Sequence, residues 1–170
     1  MKTLTAERAR EVLSYDPKKG NLTWRKPTGK KPKVGNEAGC AHTQANGYQY
    51  VQVGIDGGRY RKTTVIWLIV HGCKPIGDID HVNGNSTDDR LCNLREATRT
   101  QNMANKRMHK NNRSGIKGVF WDTQRKKWRA QVRKDRKNHY AGHFTDKYEA
   151  GAAYLAKARE LHGNFATDRR

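Results

Sequence analysis

A polar, basic stretch, KRMHKNNRSG (106–115), breaks the chain at a point where apolar periodicity disappears, and it reads as a linker between modules. At 34% hydrophobic residues and a mean hydropathy of −1.07, the 170-residue chain is lean for one large core. Small modules, each gaining part of its stability from a ligand, suit such a composition better. The predicted organisation is an N-terminal α/β leader (1–62), a central module (63–107), a basic linker (108–113) and a C-terminal module (114–170).

In the leader, TAERAREVL (5–13) fits a short helix capped by Thr5, with Ala9, Val12 and Leu13 on one face. DPKKG (16–20) is a turn and NLTW (21–24) is strand-like. A basic loop without periodicity follows (25–39). GYQYVQVGI (47–55) then alternates, placing Val51, Val53 and Ile55 together before a DGG turn. TTVIWLIVHG (63–72) fits either a helix or a buried strand, because its β-branched residues favour one and its length permits both. Thr98 followed by Gln101 is a capping box, so a helix is predicted to begin near 98 and run through QNMANKRM. In the last third, IKGVFWD, KWRAQVR and NHYAGHF are three candidate strands, and 146–163 is an alanine-rich helix.

Lysine and arginine outnumber acids 35 to 16, giving a formal charge of +19. Such an excess repels itself in the free protein and points to a polyanionic partner. The apolar run VIWLIV is too short to span a bilayer, which argues against a membrane role. The opening MKTLTAERAREVL lacks an apolar signal core, and this predicts an intracellular protein. Three scattered cysteines without a CxxC pair signal neither a disulfide framework nor a cysteine zinc site.

Against this basic background, IDHVNGNSTDDRLCNL (79–94) concentrates acid, imidazole and amide. With 76–82 as a strand and a helix from 98, Asp80 and Asn102 can supply oxygen ligands for one Mg²⁺, with Mn²⁺ as an alternative. His81, on the opposite side of the strand from Asp80, can take a proton from water. On spacing alone, an Asp-His pair is more often a solvated turn or a structural contact, and Asp88 and Asp89 read as turn residues.

The longer segment IDHVNGNSTDDRLCNLREATRTQNMANK resembles the HNH nuclease motif of phage and intron-encoded homing endonucleases, through its Asp-His pair, NGN turn, NLR element and QN on the helix. The resemblance implies a ββα-metal fold, with Asp80 and Asn102 as metal ligands and His81 as general base. Asn93 would brace the loop and orient His81. The leader, with YDPKKGNLTW and NGYQYVQV, is similar to that of phage members, which favours a helix for VIWLIV. Relatives carry a His-Arg pair where this chain has Thr63 and Thr64, so no DNA contact is carried over there. His71, outside the motif, reads as structural.

In KWRAQVR, alternation sets Lys127, Arg129, Gln131 and Arg133 on one sheet face, with Trp128, Ala130 and Val132 on the other. The apolar face is predicted to pack on the helix through Ala150, Ala153, Tyr154 and Ala158, and the basic face suits a DNA major groove. Residues 114–166, with KGV, KWRAQVR, YAGHF, EAGAAYLAKA and NFA in order, resemble the plant ethylene-response-factor (APETALA-type) DNA-binding domain. That domain is a three-stranded sheet backed by one helix. The contacts implied here are Lys117, Trp121, Lys127, Arg129, Gln131, Arg133 and Tyr140.

The expected fold class is therefore α+β, a ββα-metal module followed by a three-stranded antiparallel sheet plus one helix. The expected function is a metal-dependent endonuclease on double-stranded DNA, a nickase or site-directed cutter acting as a monomer or weak dimer without an organic cofactor. The competing expectation is a sequence-specific DNA-binding regulator that keeps the motif as a relic.

Overall fold

A computed structural model describes residues 3–30, 32–45, 47–109 and 111–168. The chain forms a mixed α/β structure that divides into two compact units, Met1–Glu96 and Ala97–Arg170. Of the expected linker 108–113, Lys110 lies outside the described residues. The described remainder carries no helix or strand.

The first unit opens with helix α1 (Ala6–Val12), where the Thr5 hydroxyl accepts from the Arg8 amide at 3.2 Å. Leu13, expected on the helix face, instead starts strand β1 (Leu13–Asp16) and is fully buried. β1 pairs antiparallel with β2 (Asn21–Trp24), Asp16 opposite Asn21. The turn between them works because Asp16 Oδ1 accepts from the Lys18 amide and Gly20 adopts φ +73°.

A second sheet follows in the order β3 (Cys40–Thr43), β4 (Gln49–Ile55), β5 (Gly58–Arg61). Val53 and Ile55 enter the core, whereas Val51 is only half-buried. The VIWLIV run is helical: α2 (Lys62–His71) ends at Gly72 in the left-handed region. Its β-branched residues give up a few tenths of a kcal/mol each in helix propensity. Burial of Val65, Ile66 and Leu68 against Leu13, Leu22 and Val53 outweighs that, at about 1.5–3 kcal/mol per side chain. Strands β6 (Asp78–His81) and β7 (Leu94–Ala97) then form a two-stranded sheet.

The second unit begins with α3 (Arg99–Asn105). The predicted capping box is present, Thr98 accepting from the Gln101 amide at 3.3 Å and Gln101 from the Thr98 amide at 2.8 Å. Strands β8 (Val119–Asp122), β9 (Lys127–Lys134) and β10 (Lys137–Phe144) make an antiparallel meander with β9 central. Helix α4 (Lys147–His162), N-capped by Asp146, covers one face. Val119, Ala130 and Val132 meet Ala150, Tyr154 and Ala158 there, with Trp128 at the margin. Burial raises the Tyr154 hydroxyl pKa to about 12.

Gly118 is required for this packing. It sits at φ +70°, and a Cβ there would lie 2.1 Å from the Tyr154 ring and 2.8 Å from the Gln131 carbonyl oxygen. Gly118→Ala is expected to destabilise the second unit by about 2 kcal/mol or more, combining overpacking with a strained φ. A lowered urea midpoint in equilibrium unfolding would show it; an unchanged midpoint would mean that Tyr154 yields without cost.

Candidate functional site

The loop joining β6 to β7 is tied to itself. The Asn93 side-chain oxygen accepts from the Asn83 amide at 2.9 Å, while its NH₂ group donates to Asn83 Oδ1 at 3.0 Å and to the Asp88 carbonyl at 2.7 Å. The Asn93 carbonyl accepts from the Val82 amide at 2.8 Å. Smaller Asx turns shape the tip: Asn83 Oδ1 accepts from the Asn85 amide, and Asn85 Oδ1 accepts from the Thr87 amide. Asp88 accepts from Asn83 and Arg90, and the Arg90 guanidinium holds its carboxyl well below the usual carboxylate range. Asp88 is thus a turn residue, as its sequence context indicates.

Asp89 is not. It is only 3% exposed, and its Oδ1 lies 2.9 Å from His81 Nε2 while its Oδ2 lies 3.4 Å from Lys62 Nζ. Reading it as a turn residue fails because its side chain turns inward beneath the leader. The Tyr15 hydroxyl donates to the Asp89 carbonyl at 3.0 Å, and Gly20 is packed against the Asp89–Arg90 peptide. Lys62 is 5% exposed and is also 3.6 Å from Glu37 Oε1. Lys62 has no role in the sequence reading. Once 62–71 is helical, however, Lys62 falls on the i, i+3, i+4 face with Val65 and Ile66, which is the signal that would have found it.

Asp80 and His81 are adjacent on β6 and both buried, at 6% and 7% exposure. Asp80 Oδ2 accepts from Arg95 Nε at 2.9 Å, with Nη2 at the same distance. Arg95, from the NLR element, was likewise not singled out. Among the described residues no group of three or more His, Cys, Asp or Glu side chains converges as a metal cage. Mg²⁺ takes one or two carboxylates and completes its shell with water and phosphate oxygens, and the buried Asp80 carboxylate, whose Oδ2 faces Arg95, is a donor of that type. Asp80, His81 and Asn93 belong to the first unit. Asn102 lies in the first turn of α3 in the second, its amide bonded to the Thr98 carbonyl at 2.9 Å.

In the second unit the alternation along β9 holds. Arg129 stands opposite Phe120 and His143, and Gln131 opposite Tyr140, on the face away from α4. Lys127 and Arg133 share that face by alternation. Tyr140 hydrogen-bonds His143, whose Nε2 lies 2.9 Å from Asp122 Oδ2. The Arg125 amide and then His143 hold the Asp122 carboxyl below its ordinary range.

Two of the sequence-derived contact residues are placed elsewhere. Trp121 is cross-strand to Trp128, with ring centroids 5.0 Å apart, on the α4 side of the sheet. Lys117 donates to the Ala104 and Lys106 carbonyls, both at 2.6 Å, closing the C-terminal end of α3 where a cation is favoured. Phe120, an exposed apolar residue beside Arg129, was not singled out.

The sequence pattern of the HNH endonuclease family matches residues 60–104. Protein 3.8 of Escherichia phage T7 is 38% identical over 107 residues, a stretch that covers 62% of this chain and 88% of that protein. No solved structure matches the chain significantly.

Asn93→Ala removes three side-chain hydrogen bonds at once and is expected to loosen the loop by about 1–3 kcal/mol. Native-state amide exchange at Asn83 would then speed up roughly 5- to 150-fold; unchanged protection would show that the loop is held by its Asx turns alone.

Proposed function

We propose, from the premise that this chain belongs to the family of phage T7 Protein 3.8 and carries an HNH endonuclease domain over residues 60–104, that it is a metal-dependent endonuclease of the homing type acting on double-stranded DNA inside the cell. The observation that carries this reading is the buried Asp80–His81 pair beside the loop tied by Asn93, all within the matched segment.

In this reading Asp80 would hold a Mg²⁺ or Mn²⁺ ion, with Asn102 as the second ligand that the HNH resemblance implies. When bound, the ion would stabilise charge on the scissile phosphate and the leaving oxygen. His81 takes the proton of the attacking water, worth roughly 10²–10⁴-fold in rate. Asn93 keeps the turn after β6 in one shape, and so fixes where the His81 backbone presents its ring. Attack on phosphorus with loss of the 3′-oxygen leaves 3′-hydroxyl and 5′-phosphate ends. One such site per chain cuts one strand, so a monomer nicks, and a double-strand break needs a dimer or two visits.

The outer face of the β8–β10 sheet supplies the grip on DNA, through Lys127, Arg129, Gln131, Arg133 and Tyr140. Three strands backed by one helix support the ethylene-response-factor-like reading of this unit. Arginine and glutamine on a strand suit guanine and adenine edges respectively. Lys117, whose ammonium also meets two carbonyls, and Trp121, half-exposed on the other face of the sheet, complete the expected contact set.

One observation favours a second reading. The Arg95 guanidinium already neutralises Asp80, an arrangement that also suits an inert motif in a DNA-binding regulator. Strand cleavage separates the two. With Mg²⁺ the wild type is expected to convert supercoiled plasmid to open circle, and His81→Ala to lose that activity by roughly 10²-fold or more while its DNA affinity stays within about twofold. If both proteins bind a broad DNA library and neither cuts it, the regulator reading holds.

For the sheet face, Arg133→Ala is expected to weaken duplex binding. If it meets a phosphate, the log–log salt slope shrinks by about 0.9. If it meets a base, about 1–3 kcal/mol of discrimination is lost at one base pair. No change in affinity, slope or discrimination would remove Arg133 from the interface.

A further inference from the structure

We infer that Asp89, backed by Lys62, is a positioning residue that fixes the tautomer and the aim of the His81 ring. The inference rests on the reading of His81 as general base.

A carboxylate only accepts hydrogen bonds, so the ring nitrogen 2.9 Å from Asp89 Oδ1 must donate. That nitrogen is Nε2, and a neutral His81 therefore carries its proton there and its lone pair on Nδ1. Nδ1 is then the atom that takes the proton from water. As the O–H bond of water breaks and the Nδ1–H bond forms, the hydroxide oxygen bonds to phosphorus and the 3′-oxygen departs. The imidazolium left behind faces the Asp89 anion, and the Nε2 proton stays on the ring. Asp89 acts on the reaction only through His81.

The carboxylate cannot easily turn away. Its second oxygen is 3.4 Å from the Lys62 ammonium, so each oxygen faces a different partner. Its backbone is fixed from the other side by the Tyr15 hydroxyl at 3.0 Å. At Gly20, which has φ +73°, a Cβ would come within 2.6 Å of both Asp89 C and Arg90 N. The β1–β2 hairpin of the leader is thus the wall against which Asp89 is set.

Stability alone does not account for this cluster. Three ionisable side chains, each under a tenth exposed, carry a desolvation penalty that well-packed apolar residues would avoid. Their concentration one residue from Asp80 fits a functional site.

Two measurements on the full-length protein test the inference. In ¹⁵N-histidine NMR at about pH 8.5, where ordinary imidazoles are neutral, the His81 signal, identified by its loss in His81→Ala, is expected to show the Nε2–H tautomer. An Nδ1–H tautomer overturns the proposal without any variant of Asp89.

In strand cleavage, Asp89→Ala is expected to lower kcat by roughly 10²-fold or more with KM close to wild type, its melting temperature falling because Lys62 is left without its buried partner. Asp89→Asn has one oxygen for two donors, Nε2–H and the Lys62 ammonium. With the oxygen on Lys62 its NH₂ group meets Nε2, and it is expected to shift His81 to the Nδ1–H tautomer and to leave kcat about as low as alanine does. An Asp89→Ala enzyme within about threefold of wild-type kcat overturns the proposal, as does an Asp89→Asn enzyme that keeps wild-type kcat with His81 in the Nδ1–H tautomer. If Asp89→Ala fails to fold, the tautomers of the wild type and of Asp89→Asn decide, kcat being expected to fall where the Nε2–H form is lost. An active His81→Ala would defeat the general-base reading and this inference together. An inactive His81→Ala beside an active Asp89→Ala would defeat this inference alone.

Discussion

The tie between Asn93 and the turn after β6 is the constraint on which the candidate site depends. A loop of this length would otherwise sample many conformations. One asparagine, spending its oxygen on the Asn83 amide and its NH₂ group on Asn83 Oδ1 and the Asp88 carbonyl, closes the loop at its base. Closure brings Asp89 back under the leader, where its carboxylate meets His81 and Lys62. Asparagine suits the post because it offers donors and an acceptor without adding charge to a site that already holds several buried charges.

Charge is the second organising force. The chain carries +19 overall, yet three acids at the site have a cation at short range: Asp80 has Arg95, Asp88 has Arg90 and Asp89 has Lys62. The anions near the site are therefore tied to cations at short range, and the surplus positive charge lies elsewhere. A strongly cationic chain is drawn to polyanions by long-range attraction and counterion release, which are nonspecific. A sheet face bearing Arg129, Gln131 and Arg133 adds the directional groups that such attraction lacks.

Elements governed by local rules were legible in the sequence. The Thr98–Gln101 capping box, the Asp16–Gly20 turn and the alternation in KWRAQVR each depend on residues a few positions apart, and each appears where its pattern places it. The VIWLIV run left helix and strand open, because its outcome depends on burial against α1 and β4 rather than on propensity. For a related reason Lys62 is passed over in the sequence, Asp89 reads as a turn residue and Arg95 is passed over. Their partners lie 27, 8 and 15 residues away or in different elements, and no local pattern announces such a pairing. Lys117 shows the converse. Its basic character matched a DNA contact, but its ammonium is used within the fold to hold the end of α3.

The chemistry of the cut ends tests the central claim most directly. Wild-type protein with Mg²⁺ should open supercoiled DNA into nicks that a DNA ligase reseals without prior end repair, and EDTA should prevent the nicks from forming. Resealing requires the 3′-hydroxyl and 5′-phosphate that hydrolysis by a His81-activated water leaves. Nicks that resist the ligase, or that form equally well in EDTA, would contradict the account.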